Sequence, residues 1–346
     1  MTRRQVWYIG EYDAVAYPSA IDHFTLQSTM DVITLPGREI WESIIKNSRH
    51  AFFFHSPAWV TVLEKTYPVY SNATIAFIFA NGTRALFPLM VEKESGGLFK
   101  KAKHKSMPLG VYGGVVSETK LTPDERQAIF HHLATSDISD LKVVSAPLEK
   151  QDYPESFKRT SLFTHLLSLE GDFERLKSSF SRGQKSNIKQ AQKKGVTVRI
   201  GSSVHDYEHY YQIYQDTLER WGARTGIRYP WDLFRNLFEA GSPDIKLWLA
   251  EKEGKPIAGV IALYCNATVL YWHGCSLQDY FDHYPNNLLH AEIIRDACEQ
   301  GYAVYDLSPS GGYEGVIKFK DSFSAKRVDF NAYHWKKRAL RIGKHR

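Results

Sequence analysis

The residues whose types and spacing suit proton transfer lie in the last third of the chain. Tyr271 and His273 flank Trp272 in the run TVLYWHGCS. In an extended segment alternate residues share a face, so Tyr271 and His273 are expected to point one way and Trp272 the other. An imidazole titrates near neutral pH and suits His273 to act as a base. A buried, hydrogen-bonded Tyr–His pair would leave the same trace in sequence. Asp306, in YDLSPSGG, can orient an incoming group or accept its proton; the plainer reading is a strand-end cap. Ser308, Ser310, Gly311 and Gly312 form a flexible loop whose amides can bind an anion. Cys275 has the chemistry of a nucleophile but no identifiable partner, and reads better as a small buried residue.

Cationic side chains concentrate in FERLKSSFSRGQKSNIKQAQKKG, residues 173–195. Lys185, Lys189 and Lys193 are spaced by four and would line one face of a helix. Such a face is either a solvated surface or a clamp for phosphates at a domain junction, with Arg182 and Lys185 as the binding candidates. Trp221, Arg224 and Tyr229 lie in WGARTGIRYP, a Gly-broken loop placed to line a cleft. Motifs of several other chemistries are missing. There is no GxxxxGK[ST], no GxGxxG after a strand, no HExxH, no CxxC and no GxSxG. No metal is therefore expected. A donor of the CoA type needs none of these motifs, because backbone amides at a splayed strand can hold it.

The elements that must position these residues follow from pattern. In the first half, Arg38–Asn47 reads as a helix. Ser56-Pro57 opens a second helix to Thr66, and Asn81-Gly82 joins two apolar runs in a hairpin. Glu94–Ser106 reads as a basic loop, Thr122-Pro123 starts a helix to about Ala134, and Leu141–Ala146 is a strand. The second half repeats the order. Helices are expected over Tyr207–Trp221 and Trp231–Glu239, then strands over Ile245–Glu251, Pro256–Tyr264 and Ala267–Gly274. A helix over Leu288–Gln300 ending in Gly301 and a strand over Tyr305–Leu307 complete it. IAFIFANGTRALFPLMVEK and LWLAEKEGKPIAGVIALYC match in pattern, as do VYGG and YWHG. The expectation is a duplicated α/β unit with mixed sheets, divided as 1–165 and 166–346. Hairpins between helices argue against a Rossmann sheet.

The chain has 346 residues, 43% hydrophobic and 24% charged, enough for two domains with ordinary cores. Its three cysteines follow no zinc-ligand spacing and argue for a reducing compartment. The basic N-terminus lacks a following apolar stretch, and no apolar run reaches the length of a membrane span, so a soluble cytoplasmic protein is expected. A net charge of +6 is mild, with clusters at Lys100–Lys105 and in the C-terminal KKRALRIGKHR. These are solvated segments, or contacts for a nucleotide, a phosphosugar, RNA or an anionic membrane surface; no DNA partner is expected.

Several segments together resemble the FemABX and BioF2-like (FemAB-like) acyltransferases. SRGQKSNIKQAQKKGVTVRI is similar to the pattern that opens the second domain of that family. LLHAEIIRDACEQGYAVYDLSPSGG followed by GVIKFKDSFSAKRVDF is similar to the domain's end, with its D-x-x strand, Gly loop and FK motif. HSPAWV, the Asn-Gly hairpin and SMPLGVYGG resemble its first domain. The resemblance spans roughly residues 50–335 and implies two GNAT-like domains in tandem. It implies transfer of an acyl group from acyl-CoA, or of an aminoacyl group from tRNA, to an amine. The acceptor amine would sit on a sugar-nucleotide, polysaccharide or peptidoglycan-type cell-envelope precursor. A non-catalytic binding protein on the same fold is the other alternative. Lys320 matches the FK position, which implies a role in stabilising developing negative charge or a donor phosphate. Phe319 would be core or a platform for the donor. Lys318 shares a face with Lys320 if that segment is extended. The long coiled-coil arm of the family's tRNA-dependent staphylococcal type is replaced here by a short basic helix, which argues against a polymeric peptidoglycan bridge role and leaves the armless branch.

Overall fold

The computed structural model describes residues 30–93, 102–148, 153–222 and 226–337. The first half contains β1 (Met30–Thr34), α1 (Arg38–Asn47), α2 (Pro57–Thr66), β2 (Tyr70–Asn72), β3 (Ile75–Phe79) and β4 (Arg84–Phe87). It continues with β5 (Met90–Glu92), β6 (Lys103–Ser106), β7 (Val116–Ser117), α3 (Pro123–Thr135) and β8 (Asp140–Val144). Then come β9 (Lys158–Ser168), α4 (Phe173–Ser179), α5 (Arg182–Lys193), β10 (Val196–Gly201), α6 (Val204–Trp221) and α7 (Trp231–Glu239). The chain ends with β11 (Ile245–Lys252), β12 (Lys255–Cys265), β13 (Thr268–Ser276), α8 (Pro285–Glu299), β14 (Val304–Asp306), α9 (Glu314–Asp321) and β15 (Lys326–Lys336).

Local chemistry sets most boundaries. Ser56 caps α2 by accepting a hydrogen bond from the Trp59 amide, with Pro57 at the first helical position. Thr122 and Glu125 form a reciprocal capping box at the start of α3. Gly82, at φ 85°, turns the β3–β4 hairpin.

The strands form two sheets. A smaller one has the order β1-β3-β4-β7. A larger one of 11 strands runs β10-β11-β12-β13-β14-β9-β15-β8-β6-β5-β2 and is continuous through both halves. The join is made by β9 and β15, neither of which the sequence pattern singled out. β15, near the C-terminus, pairs with β9 on one side and with β8 of the first half on the other. The expected division at residue 165 falls inside β9.

One core lies between α3 and the first-half sheets, built on Phe77, Phe87, Ile129 and Leu141. Another packs α5 and α8 on the second-half strands through Ile188, Leu289, Ile293 and Tyr305. The largest joins the halves: Trp41, Phe52, Phe54 and Trp59 pack with Tyr210, Phe234 and Leu270.

Several expectations change. Residues 103–106 are strand rather than loop; Lys100 and Lys101 lie outside the described residues, as do Arg224 and the C-terminal tail beyond Lys337. The basic helical segment is broken at Phe180-Ser181, where the Ser181 amide donates to the Ser322 carbonyl at 2.9 Å. The segment carrying Lys318, Phe319 and Lys320 is the helix α9, not a strand. Residues two apart on a helix point in nearly opposite directions. Lys318 is accordingly exposed and paired with Glu314 at 2.7 Å, while Lys320 is buried.

Candidate active site

β13 and β14 run parallel only over Thr268–Leu270 and Val304–Asp306. Beyond that point β14 ends, while β13 continues to Ser276 paired with β12 alone. The strands part into a wedge, and among the described residues the edge of β13 from Tyr271 onward has no strand on that side. Asp306 is the last paired residue of β14 and stands at the apex.

A bulge in β13 decides what faces the wedge. Ile261 pairs with His273 and Ala262 with Tyr271, so Trp272 has no partner of its own. One extra residue reverses the alternation beyond it. Tyr271 and His273 therefore lie on opposite faces, not on the same face. Tyr271 packs beside α8, its ring 4.7 Å from that of His290, and its hydroxyl lies over Gly274. A Cβ at position 274 would come within 2.7 Å of that hydroxyl, which explains why glycine stands there. His273 faces α6 and α7. Its Nδ1 is 2.5 Å from the Tyr210 hydroxyl, and the rings of Tyr214, Tyr229 and Phe234 enclose it at 4.6–5.5 Å. The residue keeps some solvent contact, but enclosure of the ring pushes its pKa down to about 3, so it is neutral and weakly basic at pH 7.

Lys320 reaches the wedge from α9. It is 1% exposed, and its Nζ donates to the Ser308 carbonyl at 2.6 Å. The ammonium lies 6.0 Å from the centre of the Tyr271 ring. Burial pulls its pKa down to about 8, against the attraction of Asp306. Asp306 is fully buried. Its Oδ1 accepts from Thr164 Oγ1 at 2.6 Å and from the Ser308 amide at 2.8 Å. Burial pushes its pKa up to about 6, opposed by those donors, by Tyr112 and by Lys320. Ser308 Oγ donates to the Tyr271 carbonyl, on the residue where β13 leaves β14.

Two histidines complete the surroundings. His290 Nδ1 is 2.7 Å from the Tyr305 hydroxyl, and burial followed by the Lys320 charge lowers its pKa to about 3. His165 Nε2 lies 3.2 Å from Asp321 Oδ1; its pKa too is lowered, chiefly by burial.

Lys320, Asp306 and Tyr271 thus converge on the wedge. The other expected residues stand further out. Phe319 packs on His290 and Phe323 at 5.3 and 5.2 Å. Arg182 is exposed at the start of α5, and Lys185 Nζ donates to the Ser178 carbonyl at 2.8 Å. The residue of α5 that turns inward is Gln184, whose side-chain amide meets Asn287 and Ser322 at 2.6 and 3.1 Å. Trp221 is 44% exposed. Tyr229 packs on Trp272 and His273 in the core between the halves. Cys275 is buried, with its thiol pKa raised by burial, as a packing residue would have. Tyr112, Thr164, His165 and His290 were not anticipated. Only His290 left a trace, as a polar residue within the apolar run LLHAEII.

A surface depression of about 400 Å3 between α4 and α8 is lined by Asp172, Phe173, Glu174, Arg295, Cys298 and Glu299. It contains none of the wedge residues. Among the described residues, no three His, Cys, Asp or Glu side chains gather as a metal site, and no helix is long and apolar enough to cross a membrane.

The family described as "Acetyltransferase (GNAT) domain" matches residues 178–321, a span that includes both wedge strands and α9. The crystal structure of FemX superposes with a TM-score of 0.66 at 13% identity, covering 87% of this chain and 96% of that one. A conserved protein of unknown function from Bacteroides thetaiotaomicron gives 0.58 at 15% identity, covering 88% and 98%. L-PGS from Bacillus licheniformis gives 0.55 at 12% identity, covering 89% and 94%. No curated protein matches the sequence. At these identities the likeness is one of fold. Residues 178–321 match that acetyltransferase domain family, and the chain as a whole has the tandem GNAT-like fold that it shares with FemX.

Proposed function

We propose that this enzyme moves an acyl group from an acyl thioester, acyl-CoA in the first instance, directly to an amine. The acceptor amine belongs to a sugar-nucleotide, a polysaccharide or another cell-envelope precursor. The observation that carries the reading is the wedge: an unpaired β13 edge that an extended, amide-bearing donor can join as a strand, with a buried ammonium at its mouth.

The amine nitrogen attacks the thioester carbon. The carbonyl oxygen takes negative charge, for which Lys320 supplies a preorganised cation in a site of low dielectric. The C–N bond forms, the C–S bond breaks, and the departing sulfur gains the proton that the nitrogen loses. Tyr271, whose hydroxyl pKa is pushed up to about 12 by burial, is suited to hand its proton to sulfur and take the nitrogen's in exchange. His273, on the other face, bonded to Tyr210 and with its pKa held down to about 3 by burial, is not placed to take that proton. Under this reading residues 166–346 hold the donor. The acceptor lies where the halves meet, near Trp221 and Tyr229, with Arg182 and Lys185 as contacts for its phosphates.

A second reading has aminoacyl-tRNA as donor. The exposed cations of α5, Arg182, Lys189 and Lys193, favour it. So does the fold likeness to a protein described as a putative lysylphosphatidylglycerol synthetase. A thermal-shift panel at two salt concentrations separates the readings. An acyl-CoA at 100 times its dissociation constant adds about 2.7 kcal/mol with little salt dependence. Stabilisation by charged tRNA alone, lost at high salt, would establish the second reading instead.

A further inference from the structure

Lys320 is held by contacts that begin in the other half of the molecule. Its Nζ donates to the Ser308 carbonyl. Ser308 has φ 61°, a left-handed conformation that a residue with a Cβ rarely adopts and that persists only where its surroundings enforce it. Two bonds enforce it here. The Ser308 amide donates to Asp306 Oδ1, and its hydroxyl donates to the Tyr271 carbonyl. Asp306 is itself fixed by Thr164 on β9. Its Oδ2 and the Tyr112 hydroxyl are both buried and lack a partner in strict hydrogen-bond geometry. The hydroxyl nevertheless lies close enough to help hold the carboxylate ionised. Tyr112 belongs to the first half. Its ring is wedged against Phe52 at 4.9 Å and Phe330 at 5.4 Å.

We infer that Asp306 is a positioning residue: it holds the Ser308 carbonyl against Lys320 and links that ammonium to Tyr112 and Thr164. The first half thereby sets where the cation of the second half stands. The functional value of this link rests on the role proposed above for Lys320, but the link itself does not. Asp306 is neither the base nor an acceptor contact in this arrangement, because the carboxylate is wholly buried and its Oδ1 already accepts from Thr164 and the Ser308 amide.

The titratable groups that face Lys320 are Asp306 on β14, Tyr271 on β13, His290 on α8 and His165 on β9, with Asp321 beside it turned to His165. At pH 8 both histidines are neutral and Tyr271 is protonated, so Asp306 is the charge that acts on the lysine.

The test reads the lysine directly, without substrate. The full-length protein is labelled with 13C,15N-lysine, and the Lys320 side-chain resonance is assigned by its loss in Lys320→Arg. It is then titrated in the parent, Asp306→Asn, Thr164→Val and Tyr112→Phe. The parent midpoint is expected near pH 8. Removing the facing charge leaves burial unopposed, so Asp306→Asn lowers the midpoint by about one unit. Thr164→Val and Tyr112→Phe shift it the same way by about 0.3–0.5 unit, because a less firmly held carboxylate supports the ammonium less well. A midpoint unchanged in Asp306→Asn overturns the proposal. A shift there with none in Tyr112→Phe and Thr164→Val overturns the link to the first half. If Asp306→Asn does not fold, the two milder variants carry the test. Failure of the acyltransferase assay would leave these titrations standing, so the two readings fail separately.

Discussion

A lysine that is 1% exposed and a carboxyl that is wholly buried both carry charge at pH 7, and each does so against desolvation. The two shifts run in opposite senses for stability. Asp306 has a folded pKa above its ordinary value, so the stability it contributes is complete below about pH 4 and is lost as pH rises through about 6. Lys320 has a folded pKa below its ordinary value, so its contribution is present above about pH 10.5 and is lost as pH falls through about 8. Near neutrality the site therefore costs stability that a purely structural core would not. Lys320→Met leaves the buried Asp306 carboxylate without its facing cation and is expected to lower stability by about 3 kcal/mol at pH 7, read as a decreased denaturant midpoint. The same change, or Lys320→Ala, should lower turnover by roughly 100- to 1,000-fold. A variant that loses neither turnover nor donor affinity would remove Lys320 from the mechanism.

At the scale of elements, two local features place the chemistry. The β13 bulge sends Tyr271 to α8 and His273 to α6, which separates a pair that plain alternation would have kept together. The helical form of α9 buries Lys320 while leaving Lys318 in solvent. A third feature secures the first half beside the wedge. Gly113, next to Tyr112, lies so close to β6 that a Cβ would come within 2.0 Å of the Ser106 carbonyl oxygen. That atom is backbone and cannot swing aside. Gly113→Ala should therefore cost about 2–3 kcal/mol in urea unfolding, and should displace Tyr112 with it. Gly37→Ala, with open space around its Cβ position, is the matched control and should change stability little.

The whole molecule is organised around one sheet that crosses both halves, closed by β15 pairing back to β8. Histidines are enclosed along this junction and beside the site, His55 and His290 buried and His273 partly so. His55, His273 and His290 have pKa values lowered from 6.5 to about 4, 3 and 3 by desolvation. A base with a depressed folded pKa contributes stability that is present above its ordinary value and lost as pH falls toward its folded one. The melting temperature should accordingly fall steadily between pH 6.5 and 4, starting well before most carboxylates titrate. A melting temperature flat from pH 7 to 5 would show that these rings are more solvated than the structure places them.

Much of this was set by sequence alone. The caps at Ser56 and Thr122, the turn at Gly82 and the exact span of α7 are local, because neighbouring residues supply the partners that define them. The duplicated hairpins and the resemblance carried by the order of motifs around Lys320 and Asp306 were enough to indicate the tandem fold. Tertiary structure decided the rest. The β13 bulge exists through its register with β12, and α9 is a helix although its apolar residues, Val316, Ile317 and Phe319, fit a strand pattern equally well. Thr164 and Tyr112 meet Asp306 from 142 and 194 positions away, and no spacing rule reaches across such distances. Backbone propensity and capping act over a few residues, whereas burial, pKa and the faces of a wedge depend on which distant segments fold against it.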